Sequence, residues 1–61
     1  MTMLQYIFRA EVLMPLYEEY TKENKVSHMN TESCRKYLED IINQKVSNED
    51  VLWCFYNINQ N

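Results

Sequence analysis

The sequence predicts an all-α domain of three helices, the first kinked or split at Pro15, and three observations carry that expectation. No glycine occurs among the 61 residues and Pro15 is the only proline, so the positive-φ turns that close β-hairpins lack their usual residues. Three segments place apolar residues at i, i+3, i+4 and i+7, the helical period. Good helix caps stand in front of the second and third of these segments.

The first segment covers residues 3–23. Leu4, Phe8, Val12 and Leu16 form one stripe, Ile7, Met14 and Tyr17 a second, and polar residues thicken only after Tyr17. Proline removes a helical hydrogen bond and disfavours α geometry at Met14, so a kink or break is expected there, with Pro15 opening a second helix through Tyr20. A short strand over residues 3–8 is the alternative reading of that stretch. Residues 22–29 are polar and aperiodic, a loop.

The second segment starts at Asn30 or Thr31 and sets Cys34, Tyr37, Leu38, Ile41 and Ile42 on one face. Its outer face pairs Glu32 with Lys36, Arg35 with Glu39 and Lys36 with Asp40 at i,i+4, each worth a few tenths of a kcal/mol. After a turn at residues 44–46, Ser47 caps the third helix, Glu49 and Asp50 suit the positive end of its dipole, and Val46 staples onto Val51. In this last helix Val51, Leu52, Phe55, Tyr56 and Ile58 share a broad face while Trp53 projects from the other side.

A chain of 61 residues allows one domain with a thin core, close to the lower limit of independent folding. The apolar opening is broken by Arg9 and Glu11, too soon for a signal peptide or a transmembrane span, and a cytoplasmic location is expected. The net charge is -3, and the six basic residues are scattered among nine acidic ones, which disfavours nucleic acid. Residues 30–58 have the dimensions of a helix-turn-helix, but Asn48, Glu49 and Asp50 would meet the DNA with the wrong charge. Asn, Lys, Ile and Tyr, all encoded by A/T-rich codons, are frequent and point to a low-GC bacterium, its phage or a plasmid.

Chemistry has little to work with. Glu18 and Glu19, Glu39 and Asp40, and Glu49 and Asp50 are adjacent pairs that diverge by about 100° on a helix. His28, Cys34 and Cys54 lack the paired spacing of a zinc site, so no metal or other cofactor is expected, nor catalysis. Cys34 reads as a small buried hydrophobe, and a bridge to Cys54 would be unusual in a reducing cytosol.

The aromatic inventory is the richer signal. Eight aromatics in 61 residues exceed what so thin a core encloses. Phe8, Tyr37 and Phe55 are the expected core members, and Trp53, Tyr56, Tyr17 and Tyr6 the expected partner-binding residues, each with an apolar body and a polar tip. The expected function is a non-enzymatic protein-protein interaction module, a small phage or mobile-element regulator that inhibits or retargets a larger bacterial protein. An obligate homo-oligomer with a structural role is the rival, because residues 4–13 and 51–58 offer more apolar area than the second helix can cover.

Leu16-Tyr17 with Tyr20, then Thr31-Glu32, then Ser47-Asn48-Glu49 followed by Val51-Leu52 stand in an order similar to positions in the small acidic accessory proteins of bacterial iron-sulfur assembly. The chain resembles that family over most of its length. The resemblance implies a helical fold associated with a cysteine desulfurase and with iron, although the family's aspartate-rich segments have no counterpart here.

Overall fold

The computed structural model describes residues 1–58 and shows a small all-α domain with no strand among them. The first rod is continuous helix in three pieces: α1 (Met3–Ile7), a π-helical stretch (Phe8–Leu13) and α2 (Met14–Thr21). Two further helices follow, α3 (Glu32–Ile42) and α4 (Asn48–Ile58).

Thr2 begins the first rod with a reciprocal cap that the sequence reading missed. Its hydroxyl accepts the Gln5 N–H at 3.1 Å while the Gln5 side-chain oxygen accepts the Thr2 N–H at 2.9 Å, which satisfies two donors that an open helix end leaves bare. Residues 3–8 are thus helical rather than a strand. Further along, the Met14 N–H donates to the Arg9 carbonyl, five residues back instead of four. The widened turn lies directly before Pro15, whose ring has no N–H to give and crowds the carbonyl of Glu11 in α geometry. Regular α-helix resumes at Met14 with Pro15 in the first turn of α2.

Thr31 occupies the N-cap of α3 but turns its hydroxyl away, donating to the Asn48 side-chain oxygen at 3.1 Å and so tying the start of α3 to the start of α4. At the other end Asn43 adopts φ 56°, ψ 43°. A left-handed residue commonly ends a helix there, and in a chain without glycine the role falls to asparagine. Glu39 then holds the connection by accepting the Val46 N–H at 2.8 Å. Arg35 pairs with Glu39 at 2.8 Å and with Glu32, and Lys36 lies 3.9 Å from Glu32; the expected Lys36–Asp40 pair is absent among the described residues. Ser47 caps α4 as expected, with Asp50 as its reciprocal partner, and Val46 and Val51 both enter the core beside that cap.

The core is Leu13, Tyr17, Cys34, Leu38, Val46, Val51 and Cys54. Tyr17, expected at a partner surface, is only 1% exposed and is the largest side chain inside. With Leu13 one turn earlier it makes the inner stripe of the first rod, facing the thiols of α3 and α4. Phe8, Tyr37 and Phe55, the expected core aromatics, instead flank this centre half-buried. Between three narrow helices the axial space takes small residues from α3 and α4, and the large rings close its edges. Ile41 continues the Cys34–Leu38 stripe by a further turn yet stays half-exposed, so the stripe runs on past the helices that cover it.

Candidate functional site

Tyr6 of α1 and Trp53 of α4 meet edge to face, ring centroids 5.8 Å apart and planes at 86°. Three residues further along the first rod, Arg9 reaches α4 at Asp50, three residues before Trp53, with Nε donating to Oδ1 at 2.7 Å. Tyr6–Trp53 and Arg9–Asp50 are therefore successive rungs between two antiparallel helix faces, one turn apart. Both members of the ion pair are largely covered, their side chains 12% and 16% exposed. Burial pushes the Asp50 carboxyl up, but the Ser47 N–H, the Arg9 guanidinium and the Ser47 hydroxyl together outweigh it and hold the group below the usual carboxylate range.

Trp53 is consequently half-buried under Tyr6 and packed on the core's edge, not projecting into water as its position on an isolated helix suggests. α1 crosses the flank of α4, which no helical period of either segment reveals. Asn57 fixes the same turn by donating from its amide to the Trp53 carbonyl at 2.8 Å. Tyr56 is half-exposed on the outer side of α4, its ring edge to face with Phe55 at 5.2 Å. Of the four expected contact residues, the structure thus joins Tyr6 to Trp53, sets Tyr56 on the next turn of the same helix, and withdraws Tyr17 into the core. In the sequence Arg9 stands only as a break in an apolar run; its pairing with Asp50 depends on how the two helices meet, which the spacing within either segment does not fix.

Several acidic groups elsewhere have structural employment. Glu39 accepts from Val46 and pairs with Arg35, Asp50 is bound as described, and Glu19 pairs with Lys22 at 2.8 Å, so one member of each of the three adjacent acid pairs is already engaged. No group of three or more His, Cys, Asp or Glu side chains among the described residues is placed to hold a metal ion. Cys34 and Cys54 are buried free thiols. Burial pushes Cys34 up to about 11 and, with Cys34 and Asp50 adding to it, Cys54 up to about 12.

Both thiols are therefore expected to resist a disulfide reagent at pH 8 in the folded protein and to react fully in denaturant. A reductant should leave the melting temperature unchanged. Rapid native-state reaction of either cysteine, counted by mass, contradicts this.

No family model, curated protein or solved structure matches the chain. No helix among the described residues is long and apolar enough to cross a membrane.

Proposed function

We propose that the chain is a non-enzymatic protein-binding module, a small phage or mobile-element regulator that inhibits or retargets a larger protein in the bacterial cytoplasm. The observation that carries this reading is the aromatic face itself: Tyr6, edge to face with Trp53, and Tyr56, one turn further along α4, are each half-exposed, and the Arg9–Asp50 rung braces the two helices that present them. Rings already held by their neighbours lose little side-chain entropy on binding, and tyrosine and tryptophan dominate the energetic centres of interfaces. The employment of Glu39 and Asp50 as structural acceptors supports a role without catalysis. The scattered bases and net charge of -3 support a protein partner over nucleic acid.

Tyr56→Ala tests the face. Since Tyr56 lies outside the core, its truncation is expected to shift stability by less than about 1 kcal/mol, yet to weaken partner binding by about 2 kcal/mol, roughly thirtyfold. The measurement is affinity capture from a low-GC bacterial lysate, followed by titration of the captured protein against both forms. Equal affinity for wild type and for a Tyr6→Ala/Tyr56→Ala variant would remove this face from the interface.

A further inference from the structure

We infer that the aromatic face takes an arginine-bearing segment of its protein partner, the guanidinium pairing with Glu49 and lying against the neighbouring rings. This rests on the aromatic face being the binding surface, and adds the chemistry that the face selects. Glu49, Trp53 and Tyr56 stand at i, i+4 and i+7 along α4, so they share one side of the helix. Side chains on a helix lean toward its N-terminus, which tilts the rings of Trp53 and Tyr56 toward the turn that carries Glu49. Tyr6 extends the same surface through its contact with Trp53.

The charges left over by the fold favour a cation there. Both arginines are spent internally, Arg9 on Asp50 and Arg35 on Glu32 and Glu39, while Lys22 and Lys36 lie beside Glu19 and Glu32. Glu11, Glu18, Glu23, Asp40 and Glu49 have no ion pair among the described residues. The two remaining lysines are elsewhere: Lys45 borders the hollow that Glu39 also lines, and Lys25 stands in the loop after α2. Residues 2–8 bring no charge of their own, so the aromatic face displays a carboxylate and no cation. Asp50 and Ser47 close the α4 cap between them, which leaves the exposed Glu49 carboxylate without a donor. The faces of aromatic rings are themselves electronegative and attract cations. A planar guanidinium serves both needs, stacking on a ring while it donates to a carboxylate, which an ammonium does less well. The net charge of -3 adds a general attraction for a basic partner and opposes an acidic one, a second copy of this chain included.

Trp53 is the only tryptophan, so its emission reports on this face directly. The probe is a capped hexapeptide alternating arginine and leucine, compared with its twin in which citrulline, uncharged but of the same shape, replaces arginine. The arginine peptide is expected to change Trp53 emission saturably with a Kd below about 1 mM, and the citrulline peptide to bind about tenfold more weakly or worse. Glu49→Gln should weaken the arginine peptide about fivefold and leave the citrulline peptide unchanged. Asp40→Asn, which removes the same charge from an exposed site on α3, should change neither by more than about twofold, because a distant surface charge is screened. Tyr6→Ala/Tyr56→Ala should abolish the response. None of the replaced side chains belongs to the core, so every variant should keep its helix content by circular dichroism. Equal affinity for the two peptides overturns the inference, as does a Glu49→Gln effect no larger than that of Asp40→Asn, or no response to the arginine peptide at about 5 mM. The reading of the aromatic face as the partner surface fails separately, by undiminished affinity of the captured partner for Tyr6→Ala/Tyr56→Ala.

Discussion

Replacing Tyr17 with alanine is expected to leave most of the chain unfolded at 25 °C. The ring is the largest fully buried side chain, and it stands where the inner stripe of the first rod meets α3 and α4. Truncating a core aromatic costs about 3–5 kcal/mol through lost burial and the cavity that remains. A core in a chain this short rarely supplies more than about 3–5 kcal/mol in total. Circular dichroism at 222 nm should therefore show a large loss of helix, and any residual transition should be broad. Tyr17→Phe keeps the ring and should stay within about 1 kcal/mol of wild type. It should also change the alkaline limb. Burial, with the thiols Cys34 and Cys54 adding to it, raises the Tyr17 phenol from 10.0 to about 12, so the stability tied to its neutral form is intact below pH 10 and lost as pH climbs toward 12. The thiols begin the same decline from about pH 9. In Tyr17→Phe the decline from the thiols should remain and the part above pH 10 should shrink. A Tyr17→Ala protein that melts like wild type would mean that the core is organised around other residues.

The second large effect belongs to Asp50. One carboxylate oxygen accepts from Arg9 and the other from the Ser47 N–H, so Asp50→Ala removes a largely covered ion pair and half of the α4 cap together. A lost cap costs about 1 kcal/mol, and a guanidinium left without its partner in a mostly covered place adds about 2 kcal/mol. About 3 kcal/mol is expected in urea unfolding, and less for Arg9→Met, which leaves the cap intact. Because the folded carboxyl is held below its ordinary value of 3.8, its contribution is complete above about pH 4 and is lost as pH falls through the folded value. Stability should drop as pH falls below about 4, and Asp50→Asn should flatten that drop. Some slope should survive from Glu39, which the Val46 N–H and Arg35 also hold low. An unchanged acid limb in Asp50→Asn would show that the rung is not formed in solution.

What the sequence reveals here is what depends on one segment at a time. The absence of glycine, the i, i+4 stripe of Cys34 and Leu38, the Ser47 cap and the Val46 staple are local signals, and each appears where expected. The failures concern depth. Tyr17, Phe8, Tyr37 and Phe55 all lie on apolar stripes, and periodicity ranks them equally; only the assembled helices decide that Tyr17 takes the axis and the others the margins. Trp53 differs from its place on a helical wheel for the same reason, since its cover comes from Tyr6, 47 residues earlier in the chain. A helical wheel has no term for the neighbour that crosses it. The Thr2–Gln5 cap, by contrast, is local, a threonine followed three residues later by glutamine at the head of an apolar run.

The π-helical stretch from Phe8 to Leu13 also acts as a phase setting. A widened turn is equivalent to one residue inserted into a helix without interrupting it, and each residue of an α-helix advances the side-chain direction by about 100°. Everything before Phe8 is therefore clocked by roughly that angle relative to α2. Deleting one residue within the stretch should let the helix rewind to α geometry and leave α1 facing as it does now, because the wide turn already absorbs that residue. Closing the turn with no residue removed would instead carry Tyr6 into the direction that Gln5 now has and away from Trp53. The aromatic contact thus depends on the match between one extra residue and one wide turn, so that losing both together is silent while losing either alone turns the face by about 100°.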